Sequence, residues 1–450
     1  MRISHALILF ALAMPAGAQR VRPLAPPPPA PRAAPAVVAD DTLTTSYRVG
    51  GVTVIHRQGT ANLVVMNLYL LGGVRNLTPE TAGTEAFYLA VSEQGTERYP
   101  KDALRRALAR TGSATALDAS DDWTLFGIRT TTEVLDSVWS IFTERLMRPR
   151  LEPTEIDFVR NQALSGLRQV TEHPEPLIER AADSLAFRGH PYSMSPTGSA
   201  ASLATITRES LLRWKQEQLV TSRMLLVVVG NVPRAKLEQM ISSSLGTLPA
   251  GQYAWALPDT LRARASSLVV IPRALPTNYL SGTYRGPRAN EKDAAALRVA
   301  TAVLSGQLFS EIRSKNNLSY TASAPYHDRA LVSGGLYVTT TLPDSAMKIM
   351  RDQVRMMQEI TIPTRALAPL IQQLLTEYLL NNETSTAQAD FLARSQLYQG
   401  DWRAANRFMA DLRAVTGEDV RRVSRRYLRD VQWVYVGDPA RITRRIAESF

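Results

Sequence analysis

LLVVVGNVPRAKLEQMI, residues 225–241, is answered later in the chain by VQWVYVGDPARITRRIA, residues 431–447. In both, an apolar run of strand character ends at a glycine (Gly230, Gly437), a proline follows within three residues, and a basic helical stretch begins. A second pair of signals keeps the same offset: a long helix opens at Pro153 and another near Pro363, about 210 positions apart. Strand–glycine–helix units are common, but two matched pairs at one offset indicate an internal repeat. The chain reads as α+β: two tandem homologous domains of roughly 200 residues, each a mixed sheet with helices packed on one face.

Working outward, the first copy takes residues 46–248. Tyr47–His56 and Asn62–Leu71 read as strands, Thr81–Glu93 and Lys101–Arg110 as helices, and Ala114–Ala119 and Trp123–Thr130 as strands meeting at Asp121-Asp122. Between Glu133 and Met147, Val134, Leu135, Val138, Ile141, Phe142 and Leu146 share one helical face. Residues 249–264, with Pro, Gly and polar side chains, read as a linker. The second copy, 265–450, repeats the order: strands at Ser267–Ile271 and Asn278–Tyr284, a helix at Glu291–Leu304, strands at Tyr320–Ala324 and Leu331–Thr340, and helices at Ser345–Glu359 and Thr364–Leu380.

Before the first copy, residues 1–18 have the form of an export signal: Arg2, a short apolar run from Ala6 to Met14, and small residues at Ala16-Gly17-Ala18. Residues 19–45 are rich in proline and alanine and read as a disordered spacer. No stretch reaches the roughly 18 apolar residues of a spanning helix. A soluble protein exported to a periplasm or to the outside is expected. The chain has no cysteine, which excludes disulfides, thiolate metal sites and a cysteine nucleophile. Its net charge of +11 is scattered among Asp and Glu along helical segments, which reads as a solvated arginine-rich surface, with no nucleic-acid partner.

The segment GGVRNLTPETAGTEAFYLAVSEQGTERYP, residues 72–100, followed by FRGHPYSMSPTGS at 187–199 and MLLVVVGNV at 224–232, resembles the pitrilysin/insulinase family of zinc peptidases, in its mitochondrial-processing-peptidase-like bacterial branch. Active members carry His-x-x-Glu-His here, because positions three and four apart share a helical face on which two imidazoles bind zinc and the glutamate activates its water. Counted between Gly83 and Gly95, those positions hold Ala86, Leu89 and Ala90, and the family's third ligand, a downstream glutamate, is replaced by Gly166. None of the four can ligate a metal or move a proton. The remaining histidines of the mature chain, His56, His173, His190 and His327, lie in different elements and read as ordinary surface or turn residues. Asp118, Asp121 and Asp122 read as a solvated turn, not a cation site.

The second copy carries SGQLFSEIRSKNNLSYTASA, residues 305–324, similar to the family motif in which an arginine and a tyrosine seven apart grip the substrate backbone at the zinc centre. Arg313 and Tyr320 match those positions, and both are suited to donate to a carbonyl oxygen that becomes negative. Asn316-Asn317 stand where relatives have a glycine. The resemblance implies the non-catalytic, substrate-gripping subunit of a heteromeric zinc metallopeptidase, shaped as half of a clamshell. Zinc is then expected in the partner, a homologous exported subunit bearing His-x-x-Glu-His, with an extended peptide as substrate and no cofactor on this chain. An inert scaffold, or a peptide-binding protein of the cell envelope, are the alternatives.

Overall fold

The computed structural model describes residues 43–262 and 264–450. The export signal expected at 1–18, and the spacer up to residue 42, lie outside the described residues. The first sheet contains β1 (Thr44–Val49), β2 (Val52–Gln58), β3 (Leu63–Leu71), β4 (Ala114–Ala119), β5 (Trp123–Thr131) and β6 (Met224–Gly230), in the order β1-β2-β6-β3-β5-β4. The second contains β7 (Ser267–Pro272), β8 (Asn278–Arg288), β9 (Ala322–Ser323), β10 (Tyr326–His327), β11 (Leu331–Thr340) and β12 (Gln432–Gly437), in the order β10-β11-β8-β12-β7, with β9 also on β11.

The repeat is visible in the pairing. β6 lies parallel to β2 and antiparallel to β3; β12 lies parallel to β7 and antiparallel to β8. Gly230 and Gly437 end these two strands at φ +148° and +159°. A Cβ would fall 2.7 Å from the Leu63 carbonyl oxygen in the first case and 2.2 Å from Asn278 Oδ1 in the second. The same steric demand therefore explains the same residue at both sites.

Along β3 the side chains alternate between two buried faces. Val64, Met66, Leu68 and Leu70 join one core with Phe87, Tyr88 and Leu89, whose helix (Thr84–Val91) belongs to the first half, as does the helix Leu135–Met147 behind them. Val65, Tyr69 and Leu71, with Val227 and Val229 of β6, face the other way. There they meet Ala389, Leu392, Ala393 and Leu397 of a helix, Ser385–Gln399, that belongs to the second half. The exchange is mutual. The first-half helix Pro174–Ala186 crosses to the second sheet and packs Ile178, Ala182 and Leu185 on Val434 and Val436 of β12. Each sheet thus has its own helices on one face, as expected, and one helix of the other half on the opposite face. A strand buried on both faces needs an unbroken apolar run, which is what LLVVV at 225–229 supplies.

Two local expectations are corrected. The stretch Tyr47–His56 is a hairpin, not one strand, because Gly50 and Gly51 both take positive φ (+55° and +87°) and turn the chain. β1 also starts at Thr44, two residues inside the predicted spacer. The segment 249–262 is irregular but anchored: the Trp255 indole donates to the Leu397 carbonyl at 2.7 Å, and the Arg75 guanidinium stacks 4.4 Å from the Trp255 ring centre.

Candidate functional site

The helix Thr84–Val91 follows Gly83, whose left-handed backbone (φ +86°) sets its starting direction. Its one charged side chain, Glu85, faces inward. Glu85 Oε2 pairs with Arg223 Nη2 at 2.8 Å, and Arg223 also donates to the Leu71 and Gln218 carbonyls at 2.8 and 3.0 Å. The Tyr88 hydroxyl donates to the Leu146 carbonyl at 2.8 Å. On the turn where His-x-x-Glu-His would lie, Ala86 and Ala90 are half-buried methyl groups and Leu89 is fully buried in the apolar core. Gly166 lies on the adjoining helix Pro153–Glu172; it is exposed, and a Cβ there would meet no atom within 4 Å. Among the described residues no group of three or more His, Asp or Glu side chains could hold a metal ion.

Arg313 stands on a seven-residue π-helical segment, Phe309–Lys315, that continues the helix Asp293–Leu308. Such a segment widens the turn and turns its side chains out of α-helical register. The Arg313 guanidinium lies 4.7 Å from the Tyr320 ring centre and 4.9 Å from that of Phe309, a cation held between two aromatic faces. Tyr320 is 84% exposed and precedes β9, so the strand expected over Tyr320–Ala324 begins two residues later, after a turn closed by the Ser319 hydroxyl and the Thr321 N–H at 2.9 Å. Asn317 takes φ +51° and donates its N–H to the Arg313 carbonyl at 3.2 Å. Asparagine tolerates that region better than most residues, so the turn closes here without a glycine. Arg313 and Tyr320 are therefore brought together.

The sequence matches two family models. Residues 52–198 fit the insulinase (peptidase family M16) model and residues 205–374 the peptidase M16 inactive domain, so the matches cover most of both halves. The chain belongs to the M16 peptidase family. Its relatives include mitochondrial-processing peptidase subunit beta of Lentinula edodes, 23% identical with 84% of this chain and 86% of the relative covered. Cytochrome b-c1 complex subunit 1 of Caenorhabditis elegans is 22% identical, with 88% and 87% covered. An uncharacterized zinc protease of Mycobacterium tuberculosis is 25% identical, with 63% and 67% covered. Among solved structures, a peptidase M16 inactive domain from Pseudomonas fluorescens superposes at TM-score 0.80 and 17% identity, covering 88% of this chain and 98% of that one.

Elsewhere this M16 chain departs from what its sequence suggests. Asp121 and Asp122 are no solvated turn, although Asp118 is exposed. Asp122 is 1% exposed and accepts from the Tyr192 hydroxyl (2.5 Å), the Tyr398 hydroxyl (2.9 Å) and the Ala330 N–H (2.9 Å). Asp121 pairs with Arg329 at 2.6 Å, and Arg329 with Asp183 at 2.8 Å. Arg329, from the β10–β11 loop, is thereby gripped by two carboxylates of the first half. Burial pushes the Asp121 carboxyl up to about 6 against the opposing pull of Arg329. Of the histidines, His173 is exposed, but His56 is buried within β2, and burial holds its imidazole below the ordinary value. His190 is half-buried and accepts the Tyr192 N–H on Nδ1 at 3.1 Å; burial, then Arg75, lowers it to about 4. The contacts of Asp121 and Asp183 with Arg329, and of Asp122 with Tyr398 and Ala330, join the halves, and sequence spacing alone gave no sign of them.

Proposed function

We propose that this chain is the non-catalytic subunit of a two-chain zinc metallopeptidase, gripping an extended peptide while a homologous exported partner supplies His-x-x-Glu-His and the zinc. The observation that carries this reading is the Arg313–Tyr320 pair: a guanidinium stacked on an exposed ring, with no ion-pair partner among the described residues. Held this way, its N–H edges and the phenol are free to donate to a peptide carbonyl whose oxygen gains charge as the bond is attacked. A purely structural arginine would be expected to carry a carboxylate partner, as Arg223 and Arg329 do. The peptide would add to a sheet edge inside the closed pair.

No helix of the described residues is long and apolar enough to cross a membrane. With the sequence read at 1–18, this supports a soluble, exported pair. The test is the double change Arg313→Ala, Tyr320→Phe in the reconstituted pair. Peptide turnover is expected to fall about 100-fold or more with assembly intact, the scale on which removal of oxyanion donors acts. Unchanged turnover would leave this chain a scaffold.

A further inference from the structure

Arg285 lies on β8, half-buried, and lines a cavity of about 360 Å³ at the seam of the two halves. That volume is near the lower end of small-molecule sites. Phe187 from the first half, Leu261 from the connecting segment and Leu331 from β11 make its apolar walls; Arg426 and Arg429 also line it. The two acidic side chains in the lining are already engaged. Asp430 is 3.2 Å from Arg429 Nε, and Glu291 Oε1 accepts the Arg288 N–H at 3.2 Å. Arg426 is held by Asp293 at 3.1 Å. The Arg285 backbone pairs with Ser333 of β11, but its guanidinium has no hydrogen-bond or ion-pair partner among the described residues. Burial lowers its pKa, and Arg264 adds to that, while Asp430 opposes both.

A guanidinium stays charged at any physiological pH, and an unpaired one partly removed from water is stabilised by an anion. Apolar walls next to it select an anion that carries hydrocarbon. We propose that this cavity binds an amphipathic carboxylate, its head on Arg285 and its aliphatic part against Phe187, Leu261 and Leu331. A free fatty acid, or the C-terminal carboxylate of a peptide ending in an aliphatic residue, has this chemistry. The site is independent of Arg313 and Tyr320.

Calorimetric titration of the full chain distinguishes these sources. The probes are decanoate, inorganic phosphate, and a short N-acetylated peptide ending in leucine, as free acid and as amide. Decanoate or the free-acid peptide is expected to bind, with Arg285→Met weakening it about tenfold or more and Arg441→Met, outside the cavity, leaving it unchanged. The tighter of the two names the source. Leu261→Asp, which places a negative charge in the apolar wall with Arg285 intact, is expected to weaken binding as well, so the outcome does not hang on one variant folding. The proposal is overturned if neither acid binds, if phosphate or the amide binds as tightly as the acids, or if Arg285→Met changes nothing.

Discussion

Leu89, which the resemblance matches to the glutamate of His-x-x-Glu-His, is a core residue. It is 0% exposed and packed with Phe87, Tyr88 and the β3 side chains. Leu89→Glu would bury a carboxyl inside this apolar cluster. A loss of about 2 kcal/mol or more is expected, read as a lower urea midpoint; an unchanged midpoint would mean that this turn opens to water. Asp121 gives a second residue-level test. Its folded pKa, about 6, lies above the ordinary value of 3.8. The stability it contributes is therefore full below about pH 4 and lost as pH rises through 6. Asp121→Asn should remove that slope: relative to the parent, the variant gains on the order of 1–3 kcal/mol between pH 4 and pH 7. Urea midpoints of both proteins across that range check it, and parallel profiles would refute the assignment.

At the level of elements, the two exchanged helices meet foreign sheets with small residues: Ala182 from the first half, Ala389 and Ala393 from the second, all nearly inaccessible. Close approach of helix and strand requires them. Ala393→Leu is expected to cost about 1–3 kcal/mol by overpacking against β3 and β6, seen in thermal unfolding. Much of this architecture was legible in sequence. The repeat, the central strands and the Leu135–Met147 helix follow from period and punctuation, whereas the cover on the second face of LLVVV was not expected. What covers it was not legible, since an apolar helix face does not say whose sheet it will meet. The candidate site divides the same way. Ala86, Leu89 and Ala90 are assigned through the family resemblance, counting between two glycines, and Arg313 and Tyr320 by their spacing in its motif. Asp121 and Asp122 looked like a turn because Arg329, which pairs with Asp121, and the Ala330 N–H, which meets Asp122, lie 208 positions away.

For the whole molecule, the mutual exchange makes each half incomplete. Residues 43–248 produced alone would expose Val65, Tyr69, Val227 and Val229, and residues 265–450 alone would expose Val434 and Val436. Each fragment is expected to aggregate when expressed separately and to copurify as a soluble complex when both are made together. Two fragments that are soluble and well folded on their own would contradict the interlocked core.

The exchange also sets a timetable. A ribosome finishes β6 about 155 residues before it reaches Ser385, an interval on the order of 10 s at ordinary rates of synthesis. For that time one face of the first sheet has no cover, and the nascent chain is a client for any holdase that recognises bare aliphatic surface.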